Sequence, residues 1–194
     1  MARIRICGGK WRSRLIDVSA VAGLRPTPDR VRETLFNWLG QDLTGLSCLD
    51  LFAGSGVLGF EAASRGARRV TLVERDAKAY ATLRRNAEGF DGDQLELQRA
   101  DALEFLASLA KAAGPGAAEQ KLSRHGKVYY DLVFLDPPYH QGWLARLEPL
   151  LAAVVAPGAR LYVEAESAMM AMGVWRSTRH GKAGQVYYHL MERA

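Results

Sequence analysis

The stretch Asp50–Gly59, with the sequence DLFAGSGVLG, decides the fold of this chain. The apolar run Cys48–Phe52 predicts a buried strand, and the helical spacing of apolar residues over 57–65 predicts a helix directly after it. A GxGxxG motif spans the junction and consists of Gly54, Gly56 and Gly59. Glycines at a strand-to-helix turn allow a tight bend and the close approach of a ligand. The motif therefore predicts a βαβ unit that binds a nucleoside-containing molecule.

The rest of the chain repeats this alternation. Further buried strands are predicted over Val70–Glu74, Leu95–Gln98, Leu132–Asp136 and Leu161–Glu164, and further helices over 76–88, 102–112 and 143–155. Apolar strands that alternate with helices indicate a parallel sheet covered on both faces, so the predicted fold class is α/β. Gly173–Thr178 and Gln185–Met191 are expected to form a closing antiparallel pair around His180–Gly184. Residues 111–127 are expected to form a long, mobile loop.

An N-terminal segment, residues 1–40, precedes the first βαβ unit, and we treat it as part of one domain, 1–194. Arg3–Cys7 and Arg14–Val18 flank Gly8, Gly9 and Lys10, which predicts a β-hairpin with its glycines in the turn. Thr27 is predicted to cap a helix that has Pro28 at its first position. Arg32 is expected to stay solvated, while the buried face of that helix is formed by Val31, Leu35 and Leu39.

Positive charge is concentrated in this segment. The chain has a net charge of +5, but residues 1–32 carry eight basic and two acidic side chains, which leaves the remainder at −1. This asymmetry is typical of a segment that contacts nucleic acid, although an ordinary solvated basic face has the same composition. The predicted RNA-contacting side chains are Arg3, Arg5, Lys10, Arg12, Arg14, Arg25, Arg30 and Arg32.

Acidic residues end three of the predicted strands. Asp50 ends the first strand, Glu74 follows Gly54 by 20 residues, and Asp101 follows the third strand. The carboxyl ends of parallel strands share one edge of the sheet, where open α/β sheets bind ligands. The glycines with Glu74 match the dinucleotide fingerprint, but Asp50 would repel a pyrophosphate and attract a cation. The sequence therefore favours S-adenosyl-L-methionine over NAD, and Asp101 is expected to serve the cofactor, a role compatible with capping a helix.

The predicted fourth strand runs directly into Asp136, Pro137, Pro138 and Tyr139. Two successive prolines hold the neighbouring carbonyl groups rigidly and leave them free to accept hydrogen bonds. An exocyclic amine is a poor nucleophile, and it becomes a better one when Asp136 and a proline carbonyl accept its protons. Tyr139 is expected to stack on the target base, which must leave its own stack to reach the site. The tetrapeptide therefore indicates methyl transfer to an exocyclic nitrogen.

Six stretches carry a closer resemblance: RIRICGGKWRSR from Arg3, GLRPTPDRVRETLFNWL from Gly23, DLFAGSGVLGFEAASRGA from Asp50, LVERD from Leu72, FLDPPY from Phe134 and KAGQVYY from Lys182. On these stretches the chain resembles the S-adenosyl-L-methionine-dependent methyltransferases of the Asn/Asp-Pro-Pro-Phe/Tyr group. More narrowly, it resembles the bacterial 16S ribosomal RNA guanine-N2 methyltransferases that modify guanine 966. Its one departure is residues 111–127, which are longer than that family leads us to expect.

The resemblance implies a seven-stranded, Rossmann-like methyltransferase fold with an N-terminal hairpin for RNA contact. It implies transfer of one methyl group to guanine N2 in 16S rRNA or the small ribosomal subunit, with Asp136 to Tyr139 as the catalytic tetrapeptide. The expected cofactor-binding residues are Asp50, Phe52, Ala53, Gly54, Ser55, Gly56, Glu74, Arg75, Asp101 and Ala102.

Other interpretations of the sequence, in localisation, site chemistry and function, are disfavoured or left open. The sequence has no apolar run of about 18 residues and no apolar signal-peptide core at its start, so we expect a cytoplasmic protein without membrane contact. Cys7 and Cys48 match no metal motif and are not placed as nucleophiles, and the four histidines have no metal or triad spacing. Trp11 fits either the core or a base-stacking surface. The alternatives are an amine of another base, a protein amide, or a non-catalytic RNA-binding module. A monomer without a metal is expected.

Overall fold

The computed structural model describes residues 2–19, 27–113 and 129–194. A short antiparallel ladder is formed by β1 (Arg3–Arg5) and β2 (Leu15–Asp17). The main sheet consists of β3 (Ser47–Asp50), β4 (Arg69–Val73), β5 (Leu95–Gln98), β6 (Tyr130–Leu135), β7 (Val155–Ala165), β8 (Ala171–Met172), β9 (Trp175–Ala183) and β10 (Val186–Arg193). The helices are α1 (Asp29–Leu39), α2 (Val57–Ser64), α3 (Ala77–Glu88), α4 (Ala102–Ala113) and α5 (Trp143–Leu151). None of these helices is long and apolar enough to cross a membrane.

The strand order of the main sheet is β5-β4-β3-β6-β7-β10-β9-β8. The strands from β5 to β7 pair in parallel, whereas β10, β9 and β8 add antiparallel pairs. The predicted α/β fold class is confirmed, and the expected seven strands gain an eighth of two residues at the edge. The order reverses at β3, which lies between β4 and β6. Ligands of open α/β sheets bind at such a switch point, beyond the carboxyl ends of the strands.

Helices cover both faces of the sheet. On one face, Val31 of α1, Phe60 of α2 and Leu83 of α3 pack in one apolar cluster with Phe134 of β6. On the other face, α4 and α5 pack with Val133 of the same strand in a second cluster. Alternate residues of a strand point to opposite faces, so the nearly continuous apolar run of β6 supplies both clusters.

The glycine motif sets the contact between α2 and the sheet. Gly56 has φ of 86°, a left-handed conformation that favours glycine. A Cβ atom at Gly59 would lie 2.5 Å from Cδ2 of Leu72, inside the van der Waals contact distance. The third glycine of the motif is therefore required for the close approach of α2 to β4, in agreement with its role in such motifs.

The connection between β1 and β2 packs onto α2 and the sheet. Trp11 is buried, with its ring centroid 4.7 Å from that of Phe90 and 6.5 Å from that of Phe60. The backbone N–H of Trp11 donates to Oγ of Ser64 at 2.8 Å, and the backbone N–H of Lys10 donates to the Ser64 carbonyl at 2.7 Å. Trp11 is thus a core residue and not a base-stacking surface.

The expectation that Arg32 stays solvated is wrong. Its side chain has no exposed surface, and its guanidinium lies 2.7 Å from Oε1 of Glu61, which is itself fully buried. It also contacts Asp29 at 2.5 Å and donates to the Arg5 carbonyl at 3.0 Å. A long side chain next to a helix's apolar stripe can turn inward when a buried charge is there to pair with it. The Arg32 side chain is therefore not accessible to RNA, and its predicted role in RNA contact is wrong.

The predicted cap of α1 is also wrong. Pro28 is the N-cap residue, without a side-chain cap hydrogen bond, and α1 begins at Asp29. The Thr27 hydroxyl instead donates to Oε1 of Glu164 at 2.8 Å. Thr27 is buried, and its hydroxyl is paired with a buried carboxylate rather than with the backbone N–H groups at the start of α1.

Several predicted boundaries shift. The helix predicted over 143–155 ends at Leu151, and the next strand begins at Val155, well before the predicted Leu161. The closing pair turns at Gly184, which has φ of 60°, so the predicted turn from His180 belongs mainly to β9. The first three residues of the predicted 111–127 loop continue α4, and 114–127 lie outside the described residues.

Candidate active site

A cleft of about 1180 Å³, which we call the main cleft, opens at the carboxyl edge of the sheet. It brings together residues at or after the carboxyl ends of β3, β4, β5, β6 and β7, and its lining includes the turn between β9 and β10. Residues from distant parts of the chain meet in it, among them Phe52, Glu74, Asp101, Asp136, Tyr139 and Glu164. Of the predicted cofactor residues, Arg75 and Ala102 also lie on its wall.

Glu74 connects the glycine loop to the end of β4. Its Oε2 accepts the N–H of Gly54 at 2.8 Å, and its Oε1 accepts the N–H of Asp76 at 2.7 Å. The side chain is buried, yet it lines the main cleft. Each carboxylate oxygen has a second lone pair, so these bonds leave acceptor capacity for a ligand hydroxyl group.

Asp101 has the capping geometry that the sequence allowed. Its Oδ1 accepts the N–H of Leu103 at 2.9 Å, at the start of α4. Its Oδ2 lies 3.8 Å from the guanidinium of Arg75, a side chain more than half exposed. Part of the lining is aromatic, because the Phe52 and Trp143 rings meet edge-on with centroids 5.4 Å apart. The main cleft thus combines acidic and apolar walls.

Asp50 lies beneath the glycine loop, as the sequence predicted. Backbone N–H groups of Phe52 and Gly59 donate to its carboxylate. With Ala53, Gly54 and Ser55 it lines a small pocket of about 40 Å³. That pocket shares Phe52 and Asp136 with the main cleft, so the two are adjacent.

The tetrapeptide follows β6 at the same edge. Asp136 is half-buried and lines both spaces, while Pro137 is buried and Pro138 is exposed. Directly after Tyr139, the backbone turns at His140, which has φ of 61°. The His140 N–H donates to both oxygens of Glu166, at 3.2 and 3.0 Å, and its ring contacts the same carboxylate. The end of β7 therefore holds the turn after the tetrapeptide.

Sequence reasoning missed Glu164. This residue of β7 is only 4% exposed and lines the main cleft, although its neighbours in sequence are apolar. Both of its hydrogen bonds fall on Oε1, from the hydroxyl groups of Thr27 and Tyr162, each at 2.8 Å. The rule that identified Asp50, an acid at the carboxyl end of a predicted strand, also applies to Glu164.

Burial raises the pKa of the three acids that lie on neighbouring strands. Desolvation raises the pKa of Asp50 to about 7, against the lowering effect of its two backbone hydrogen bonds. Desolvation, then Glu164 and Asp50, raise the pKa of Asp136 well above its usual range. Desolvation also raises the pKa of Glu164, while the hydroxyl groups of Tyr162 and Thr27 lower it. The described residues provide no group of three or more potential ligands placed to hold a metal ion. A cationic ligand would relieve the repulsion among these acids.

Most of the predicted RNA-contacting side chains lie on the surface. Lys10, Arg12 and Arg30 are exposed, as are Arg3, which pairs with Asp17 at 3.1 Å, and Arg5. Arg14 is exposed too, but its guanidinium lies 4.2 Å from the centroid of the Phe90 ring and donates to the Gly89 carbonyl. Arg25 lies outside the described residues.

Comparison with known proteins identifies the family. The family model "Conserved hypothetical protein 95" matches residues 4–192. The chain belongs to this family. A relative from Escherichia coli strain K12, named Ribosomal RNA small subunit methyltransferase D, is 40% identical over 98% of this chain and 90% of its own length. A relative of the same name from Haemophilus influenzae is 36% identical over 97% of this chain and 93% of its own. The predicted family is confirmed.

Solved structures of similar proteins have the same fold. A structure from Escherichia coli, named as a methyltransferase, has a TM-score of 0.80 and 39% identity, and covers 99% of this chain and 98% of its own. A methylase from Haemophilus influenzae has a TM-score of 0.76 and 33% identity over 99% of each chain. An RNA methyltransferase from Salinibacter ruber, in complex with S-adenosyl-L-homocysteine, has a TM-score of 0.61 at 20% identity, with 87% and 94% coverage, and supports the fold alone. The predicted methyltransferase class is confirmed by the Escherichia coli and Haemophilus influenzae relatives.

Proposed function

We propose that this protein transfers a methyl group from S-adenosyl-L-methionine to the exocyclic N2 of a guanine in 16S rRNA, at the position-966 type of site. The observation that carries the proposal is the position of Asp136 to Tyr139 on the wall of the cleft that also contains Glu74 and Asp101. The names of the relatives support small-subunit rRNA as the substrate.

The walls of the main cleft fit the methyl donor. S-adenosyl-L-methionine carries an ammonium, a sulfonium and a ribose diol, and it supplies a methyl group that leaves with cleavage of its carbon–sulfur bond. Asp136 on the wall of the main cleft and Asp50 in the small pocket next to it favour the cationic groups, because opposite charges about 4 Å apart attract by several kcal/mol before desolvation. Glu74 is the candidate acceptor for the ribose hydroxyls. Phe52 and Ala102 offer apolar surface to the adenine ring.

The tetrapeptide supplies the other half of the chemistry. Asp136 accepts one N–H of the guanine amine and the Pro137 carbonyl accepts the other, which turns the nitrogen lone pair toward the methyl carbon. A nitrogen–carbon bond forms, the electron pair of the broken bond stays on sulfur, and one amine proton passes to Asp136. The carboxylate is already in place when positive charge develops on nitrogen, so little reorganisation is needed. Tyr139 stacks on the extruded base.

We propose RNA contact through residues 1–40, whose exposed cations flank the domain core. Lys10, Arg12 and Arg30 are among the exposed cations of this segment, and none of the three forms an ion pair with the described residues. Phosphate neutralisation by such side chains supplies affinity that falls with salt. A cytoplasmic monomer remains our prediction, and sedimentation at assay concentrations tests the monomer.

The experiment is transfer of tritiated methyl to unmodified 16S rRNA and, separately, to small-subunit particles that lack the modification. Nucleoside analysis of the product is expected to yield N2-methylguanosine from one of the two substrates. A methylated adenosine or cytidine as the only product would contradict the guanine assignment. Absence of transfer to either RNA substrate, with transfer to a ribosomal protein, would contradict the RNA assignment.

A further inference from the structure

Glu164 and Asp136 lie side by side at the ends of neighbouring strands. In the parallel ladder between β6 and β7, Phe134 pairs with Tyr162 and Leu135 pairs with Val163. The next position along the two strands holds Asp136 and Glu164. Paired residues of parallel strands about 4.8 Å apart point to the same face, so both carboxyl groups reach the main cleft from one side.

The contacts of Glu164 leave one of its oxygens for a ligand. Thr27 and Tyr162 both donate to Oε1, and within the described chain Oε2 accepts no hydrogen bond. The residue is 4% exposed and lines the main cleft, so this oxygen has little access to water except from the cleft. Thr27 and Tyr162 also fix the orientation of the side chain. Glu164 is therefore held ready for a donor that comes from the cleft.

We infer that Glu164 accepts the N1–H of the target guanine and so selects guanine over other bases, an inference that rests on the proposed function. N1 and N2 are the two adjacent donor positions on the Watson–Crick edge of guanine. Asp136 takes an N2 proton, and Glu164, next to it in the sheet, takes the N1 proton. Adenine and cytosine present an acceptor nitrogen beside their exocyclic amine. Either base would place that lone pair against the Glu164 carboxylate.

This pairing gives discrimination a physical basis. A site built to hydrogen-bond a donor rejects an analogue that lacks it, because the buried acceptor is then left unpaired. Asp136 alone cannot discriminate, since every exocyclic amine offers it an N–H. The Glu164 carboxylate thus distinguishes guanine from the other bases, which Asp136 alone cannot do.

The test compares guanine with 2-aminopurine at the target position of an RNA substrate. 2-Aminopurine keeps the exocyclic amine at C2 but has a bare acceptor at N1. We expect the wild type to methylate the guanine substrate at least about tenfold faster. In Glu164→Gln the amide can donate to the bare nitrogen, so the guanine-to-2-aminopurine rate ratio is expected to fall by about 10- to 100-fold. Glu192→Gln, an exposed glutamate on β10 outside the cleft, should keep the wild-type ratio.

The outcomes separate this inference from the proposed function. If the wild type makes no N2-methylguanosine, the proposed function fails and Glu164 has no role in guanine selection. If the wild type makes N2-methylguanosine but Glu164→Gln keeps the wild-type ratio, only the inference is overturned. The rate of the wild-type enzyme on guanine is also compared with its rate on 1-deazaguanine at the target position, a base that keeps the C2 amine and O6 but has no N1–H. At least about tenfold slower transfer supports the inference even if the variant does not fold, and equal rates overturn it.

Discussion

Replacing Glu61 by glutamine is expected to destabilise the fold far more than any surface charge change would. Glu61 is fully buried in α2, and its two oxygens face two arginines. Oε1 lies 2.7 Å from the Arg32 guanidinium, and Oε2 lies 3.3 Å from that of Arg65. Oε1 also accepts the N–H of Cys7 at 2.5 Å, so the same carboxylate holds the N-terminal hairpin.

The magnitude follows from the burial of all three charged groups. Glutamine has nearly the same shape but no charge, so Glu61→Gln leaves Arg32 and Arg65 without their buried counter-charge. Removing one partner of a buried ion pair costs about 3–5 kcal/mol. Arg32 keeps its contact with Asp29, whose side chain is 66% exposed and therefore screened. We expect a loss of about 3–5 kcal/mol in the free energy of unfolding.

The assay is equilibrium unfolding in urea, with the matched control Glu88→Gln. Glu88 pairs with Arg84 at 3.5 Å, and both side chains are about two-thirds exposed. That variant should lose less than about 0.5 kcal/mol. If the slope of the free energy of unfolding against urea concentration is the same in the wild type and both variants, the measured differences are differences in stability alone. If Glu61→Gln lost no more than Glu88→Gln, the buried pair would not stabilise the fold and the reasoning would be refuted.

Three further predictions concern the acids and the basic surface. Asp50→Asn should gain stability relative to wild type as pH rises from about 4 to about 7. Burial raises the pKa of Asp50 from 3.8 to about 7, so the folded wild type binds this proton more tightly than the unfolded chain does. The free energy of unfolding of the wild type therefore falls by up to about 4 kcal/mol over that pH range. Urea unfolding of both proteins across that range measures this, and parallel pH dependences would contradict it. Asp136→Ala should lower single-turnover methyl transfer by about 100- to 1000-fold while calorimetry shows near-normal binding of the methyl donor; retained turnover would remove Asp136 from the mechanism. Lys10→Gln with Arg12→Gln should weaken RNA binding and reduce the slope of log affinity against log salt by about 0.7–0.9 per lost phosphate contact, whereas an unchanged slope would assign these side chains to another role.

The candidate site was predictable where its signals are local. Asp50 ends β3, and Glu74, Asp101 and Asp136 follow β4, β5 and β6, strands that the apolar pattern of the sequence predicts. Parallel strands share one carboxyl edge, so these acids could be expected to lie together. Glu164 follows the same rule, but a single acid within an otherwise apolar run gives no sign of a partner. Its partner Thr27 lies 137 residues away, so the sequence could not indicate the contact.

The sequence by itself determined the alternation of strands and helices, the glycine turn and the position of the tetrapeptide, because these depend on backbone periodicity and conformation over a few residues. Only the tertiary structure decided which charges are buried. Arg32 looks like a solvent-facing helix residue until α2 brings Glu61 against it, 29 residues away. Trp11 likewise becomes a core residue only when the hairpin folds onto α2. A charge enters the interior when a specific opposite charge meets it there, and that meeting depends on how whole elements pack.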